Sequence, residues 1–127
     1  MTKKRILIVD DDEVTLIAFK KLFSTPNIEV KTVENIENAL ESLRGVKYDV
    51  VIADLRLTGT KGEEGLDILK YAKKHAPLTR LILITGYGNP DIRERSKQLG
   101  IDHYFEKPVS IPLLRKTLED LGMEYKR

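Results

Sequence analysis

The sequence predicts an α/β protein built on a five-stranded parallel sheet with helices on both faces. Three observations carry that expectation. Short apolar runs alternate with amphipathic stretches from one end of the chain to the other, the pattern of repeated βα units. Cap and turn residues mark the boundaries between them. Residues that can do chemistry stand where the apolar runs end: Asp10-Asp11-Asp12, Asp54, Thr85 and Lys107. An open parallel sheet binds its ligands beyond the carboxyl ends of its strands, so groups leaving several strand ends can converge there.

Taken in order, the first strand is Ile6-Leu7-Ile8-Val9 with its flank, residues 5–9, and the first helix covers residues 14–24. The second strand is residues 28–33. Asn35 caps the second helix, in which Ile36, Ala39, Leu40 and Leu43 share one face at i, i+3, i+4 and i+7. Residues 48–53 form the third strand and run into Asp54. The third helix, residues 65–75, puts Leu66, Leu69 and Ala72 on one side, and Pro77 follows its end. Strand four is residues 81–85. Asn89-Pro90 supplies the cap and first position of the fourth helix, residues 91–99. Residues 103–106 make the fifth strand. Ser110 caps the fifth helix, Pro112 is tolerated in its first turn, and Leu114, Leu118 and Leu121 form its buried stripe. Residues 122–127 are left over.

The fourth helix carries only Ile92 and Leu99 as large apolar residues. So few anchors place it at the low-stability end of the fold. Residues 57–64, rich in Thr, Gly and charge, follow Asp54 closely, either as the rim of a site or as a plain connection.

Composition narrows the function. A chain of 127 residues is expected to be one domain, residues 1–127, without an output domain in this chain, although it could be a fragment of a larger regulator or hybrid kinase. Lys plus Arg number 22 against 20 for Asp plus Glu, and no basic stripe is interleaved with aromatics, so direct nucleic-acid binding is not expected. The absence of cysteine excludes disulfides and cysteine-ligated zinc. No apolar run approaches the ~20 residues of a membrane span, and no signal-peptide core opens the chain, so the expected location is cytoplasmic, without membrane insertion.

Each strand-end residue has an ordinary explanation when taken alone. Acidic residues often begin a helix, and Asp12 suits that role. Adjacent residues cannot all cap one helix, however, so Asp10 and Asp11 need another reason. Asp54 alone could be a turn residue, Thr85 an ordinary strand-end threonine, and Lys107-Pro108 a surface turn. Together, clustered carboxylates repel unless a cation or shared proton neutralises them, and Mg²⁺ is the hard cation that prefers oxygen ligands. Acid cluster, hydroxyl and lysine make a site for handling a phosphoryl group.

The chain resembles the receiver domains of two-component response regulators, the family of the bacterial chemotaxis regulator. The resemblance rests on ILIVDDD at residues 6–12, DVVIADLRL at 49–57, LILITGYG at 81–88 and DHYFEKP at 102–108. It implies a (βα)5 flavodoxin-like fold with strand order 2-1-3-4-5, and a phosphoacceptor signalling domain rather than an enzyme. Residue by residue, it implies Asp54 as phosphoacceptor and Asp11 as a direct Mg²⁺ (or Mn²⁺) ligand. Asp10 would hold the ion largely through water, and the Arg56 carbonyl would complete the protein ligands. Thr85 and Lys107 would contact phosphoryl oxygens, Tyr104 would be the aromatic switch, and Gly86 the small residue that keeps the pocket open. The Lys107-Pro108 peptide would be cis. Implied partners are a sensor histidine kinase or phosphotransfer protein and a downstream protein. The latter would read the surface of the fourth helix, fifth strand and fifth helix, with the domain a monomer or a phosphorylation-dependent dimer.

One segment departs from the family. Leu57 and Thr58 stand where Met-Pro is common, and Gly65 opens the third helix about three residues late. Gly62 lies nearer the usual spacing, which leaves the local alignment open. Two rivals stand beside this reading. Asp10-x-Asp12 is similar to the nucleophile motif of haloacid-dehalogenase-type phosphohydrolases, with Asp10 as nucleophile, but Val109-Ser110 follow Lys107-Pro108 where that family needs acids. A pseudo-receiver would keep the fold and only bind a partner.

Overall fold

The computed structural model describes residues 3–57 and 62–125. Thr58 lies outside the described residues, as do Lys126 and Arg127. Among the described residues ten elements alternate: β1 (Lys4–Val9), α1 (Glu13–Phe23), β2 (Ile28–Val33), α2 (Ile36–Gly45), β3 (Val50–Asp54), α3 (Glu64–His75), β4 (Arg80–Thr85), α4 (Pro90–Gln98), β5 (His103–Glu106) and α5 (Ile111–Asp120). The strands are all parallel and ordered β2-β1-β3-β4-β5.

Two apolar layers follow from the two-residue strand period. Leu7, Val9, Val51, Ala53, Leu81 and Leu83 face α2, α3 and α4, meeting Ala39, Leu66, Leu69 and Ile92. Ile6, Ile8, Val50, Ile52, Ile82 and Ile84 face the other way and pack with Leu16, Phe19 and Phe23 of α1 and Leu114 and Leu118 of α5. Burial on both faces is why β1 and β3 read as unbroken apolar runs rather than alternating ones.

The predicted caps are in place. Asp12 accepts from the Val14 N–H, Asn35 from Asn38, Asn89 from Ile92 and Ser110 from Leu113. Helices α4 and α5 each stop before a glycine in the left-handed region, Gly100 at φ 78° and Gly122 at φ 105°.

Several boundaries differ from expectation. β3 starts at Val50 rather than at residue 48: Tyr48 is buried, but it precedes the ladder, where its carbonyl accepts the Thr79 hydroxyl at 2.7 Å. Leu121 is α5's C-cap and only partly buried. The segment after α5 is not a leftover. The Met123 N–H donates to the Leu118 carbonyl, and its side chain is 1% exposed. Tyr125 packs edge-on against Phe23 at 6.1 Å and donates its hydroxyl to the Phe23 carbonyl at 3.0 Å. Burial pushes the Tyr125 phenol up to about 12. By this packing, Met123→Ala is expected to cost about 2–4 kcal/mol and Tyr125→Ala about 1–2 kcal/mol, read from urea midpoints. Midpoints unchanged in both variants would show that the segment does not close the α1/α5 layer.

Candidate functional site

Sheet register builds the site. Val9 is paired with Ala53, so the next residues, Asp10 just past the end of β1 and Asp54 at the end of β3, leave the sheet together. Thr85 ends β4 one pair beyond the match of Asp54 with Ile84, and Glu106, its partner on β5, precedes Lys107. The Lys107 N–H donates to the Thr85 carbonyl at 2.9 Å, extending the ladder to the lysine. Its Nζ then reaches back over the strand ends to Asp54 Oδ2 at 2.9 Å and Asp10 Oδ2 at 3.1 Å.

Asp10, Asp11 and Asp54 bring carboxylate oxygens within 4.8 Å of one another. The Asp10 and Asp54 side chains are 7% exposed, whereas Asp11 is exposed. Asp10 Oδ1 accepts the Asp12 N–H at 2.9 Å. Asp54 Oδ1 is buried and meets no well-formed hydrogen-bond donor among the described residues, although the Arg56 backbone N–H lies near enough to favour the carboxylate. A buried carboxylate oxygen left unpaired is costly. Burial accordingly pushes the Asp54 carboxyl above the usual range; the Lys107 ammonium opposes the shift and the Asp10 carboxylate adds to it. For Lys107, burial pulls the ammonium down, but Asp54 and Asp10 outweigh it and hold it above the usual lysine range.

Three carboxylates against one ammonium leave the cluster negative, and every donor is a hard oxygen. That set, with one oxygen unpartnered, fits a divalent cation such as Mg²⁺ or Mn²⁺. Asp12 is spent elsewhere. Its Oδ1 caps α1, its Oδ2 accepts the Thr15 hydroxyl at 2.7 Å, and these bonds, the Thr15 one foremost, hold its carboxyl below the usual range.

The remaining predicted residues do not join the ion pairs. Thr85 is fully buried, and its hydroxyl accepts the Tyr87 N–H at 2.9 Å. A methyl group at Gly86 would meet the Lys107 side chain at 4.0 Å, an ordinary contact, so larger groups would press on the lysine. The Lys107-Pro108 peptide is cis. Tyr104 lies on the α4 side of β5. Its hydroxyl donates to Glu106 at 3.1 Å, and the Arg93 guanidinium sits 4.4 Å from its ring centroid.

Sequence reasoning missed other features. The Arg56 guanidinium stacks over Tyr87 at 4.1 Å, with Nε buried and without a hydrogen-bond partner among the described residues. A side chain at Gly88 would overlap the Tyr104 hydroxyl and Glu106. Gly65 is pressed on the site: its N–H donates to the Leu55 carbonyl at 2.9 Å, and a Cβ there would run into the Asp54 backbone. The available signal was the apolar run that follows Gly65 as the helix begins.

Comparison with known proteins bears on the family and the fold. The profile described as response regulator receiver domain matches residues 6–119. The chain is 30% identical over 119 residues to sporulation initiation phosphotransferase F of Bacillus subtilis, covering 94% of each chain. A CheY-like receiver domain protein from Methanospirillum hungatei superposes with TM-score 0.83 at 31% identity, over 94% of both chains. The non-phosphorylated HemR receiver domain from Leptospira biflexa gives TM-score 0.84 at 26% identity, over 98% of both. Among the described residues no helix is long and apolar enough to cross a membrane. By profile, fold and the arrangement of its strand ends, the chain belongs to the response regulator receiver domains of two-component systems.

Proposed function

We propose that this chain takes a phosphoryl group from a sensor histidine kinase or phosphotransfer protein onto Asp54. It then signals to a downstream protein through the surface formed by α4, β5 and α5. The observation that carries the reading is the state of the Asp54 carboxylate. Lys107 holds Oδ2 at 2.9 Å, and Oδ1 meets no well-formed donor among the described residues, so this carboxylate keeps an oxygen that can act as the nucleophile. A bond forms from Oδ1 to phosphorus as the donor's N–P bond breaks, and that bond's electron pair leaves with the histidine nitrogen. The transition state is loose, with charge spread over the equatorial oxygens, so positioning and charge neutralisation do most of the work. Lys107 supplies positive charge on one side. Asp10, Asp11, Asp54 and the Arg56 carbonyl would hold Mg²⁺ or Mn²⁺, which when bound neutralises the approach of one anion to another.

The phosphate adds about 1.5 to 2 negative charges. Thr85 turns its hydroxyl toward them, giving up its bond to the Tyr87 N–H, and Tyr104 moves into the space released. Helix α4 lies between those two strand ends and moves with them, as a shift between two populated forms. A protein donor would meet exposed apolar side chains on α1 and α5. Val14 and Ile17 on α1 are 74% and 62% exposed, and Leu113 on α5 is 50% exposed. The full-length relative named a phosphotransferase is in keeping with a phosphoryl carrier.

Incubation with acetyl phosphate or carbamoyl phosphate and Mg²⁺ tests the reading without the cognate kinase. One added phosphoryl group, labile to hydroxylamine and mapped to Asp54, is the expected result. Label on Asp10 would revive the phosphohydrolase, and no label from small donors or histidine kinases would favour the pseudo-receiver.

Cation binding gives a second measurement. Mg²⁺ is expected to raise the melting temperature, since it binds the native cluster and not the unfolded chain. Asp11→Asn should remove most of that gain. Asp12→Asn should keep it, because Asn caps a helix about as well as Asp. Equal losses in the two variants would contradict the ligand assignment.

A further inference from the structure

Helix α4 buries only Ile92 and Ser96, with Leu99 partly covered at its C-cap, too little to hold a nine-residue helix firmly by apolar contact. A polar attachment takes up part of that task. Arg95 forks onto Glu63, with Nη1 2.9 Å from Oε2 and Nη2 2.5 Å from Oε1, and also reaches Asp91 on its own helix at 3.4 Å. A bidentate guanidinium–carboxylate pair fixes orientation as well as distance.

The two ends of this pair are unequally anchored. Glu63 occupies the N-cap position of α3, but its carboxylate makes no capping bond. Two residues on, Gly65 is held to the Leu55 carbonyl and pressed against the Asp54 backbone. Leu66, Ile68, Leu69 and Ala72 then bury α3 in the core. Glu63 is thus attached to the wall of the carboxylate site, and Arg95 belongs to the more loosely held helix.

We propose that the Glu63–Arg95 pair is a tether through which the wall of the Asp54 site sets the local stability of α4. The tether itself stands on geometry alone; its coupling to ligand at Asp54 rests on the function proposed above. Both partners are about one-third exposed, so its loss acts on local opening of α4 rather than on global unfolding. Glu63→Gln is the informative variant, because it leaves every residue of α4, including the Asp91–Arg95 pair, in place.

Hydrogen exchange on the full chain, with chelator and no phosphoryl mimic, tests the tether. Glu63→Gln and Arg95→Gln are each expected to speed exchange in residues 90–99 about fivefold. The double variant should be no faster than the faster single, and α5 should be unchanged. Unaltered α4 exchange in Glu63→Gln, additive single effects, or an equal rise in α5 would overturn the tether. Beryllofluoride affinity tests the coupling. A change of about threefold or more in Glu63→Gln supports it, since coupling between sites is reciprocal, and an unchanged affinity overturns it. Should the unsubstituted protein bind no beryllofluoride, the phosphoacceptor reading fails while exchange still decides the tether.

Discussion

Asp54→Asn is expected to abolish acyl-phosphate formation and, in the presence of chelator, to make the protein more stable. The first effect is complete loss of the hydroxylamine-labile mass increment, because the amide is a poor nucleophile of nearly the same shape. The second follows from the environment of the carboxylate. Burial first, then Asp10, raise the Asp54 carboxyl above its ordinary value despite Lys107. A carboxylate raised in the native state binds its proton more tightly there than in the unfolded chain. Stability therefore falls as pH rises from the unfolded value through the folded one, and the full cost persists above it. Removing that charge should add about 1 kcal/mol at neutral pH, as expected for a buried acid with imperfect compensation. The advantage should shrink as pH is lowered and native Asp54 takes up its proton. Labelling that survives in the Asn variant would move the acceptor elsewhere. A variant less stable at neutral pH would mean that the Lys107 pairing outweighs the burial of the charge.

Gly65→Ala is expected to cost about 2–4 kcal/mol, a large effect for one methyl group. The new Cβ would lie 2.6 Å from the Asp54 carbonyl carbon and 2.8 Å from Leu55 Cα. Both are backbone atoms at the end of a fully buried strand, so neither can swing aside. The start of α3 would have to lift off β3, straining the Gly65 N–H bond to Leu55 and shifting Glu63. A lower urea midpoint with unchanged slope is the readout. Gly45→Ala is the control, since nothing lies within 4 Å of its Cβ position. It should be neutral or stabilising by up to about 1 kcal/mol, because Ala is the better helix residue. Equal effects at the two glycines would show that the contact at Gly65 relaxes at little cost.

The elements and the centre of the site were readable along the chain because their signals are local. Two-sided burial makes β1, β3 and β4 continuous apolar runs, and strand-end residues need only the parallel arrangement to converge. That is why Asp10, Asp11, Asp54 and Lys107 could be placed together, and why Asp12 could be set apart as a cap. The limits of the reading show at the fourth helix. Counting Ile92 and Leu99 correctly found few apolar anchors but could not find Arg95, whose partner lies 32 residues away. Likewise Tyr104 was readable as the aromatic before the lysine, but not Arg93 over its ring or Gly88 beneath its hydroxyl.

By itself, then, the sequence determined the order of strands and helices, their caps and the identity of the strand-end groups. All of these depend on periodicity and on neighbours within a turn or a pleat. Only the tertiary structure decided that Gly65 touches the Asp54 backbone, that Glu63 holds Arg95, and that Met123 and Tyr125 close the layer between α1 and α5. Those contacts join segments far apart in the chain, and their geometry is set by how the helices sit on the sheet. A charge on a helix surface carries no local mark of the partner that packing will bring to it.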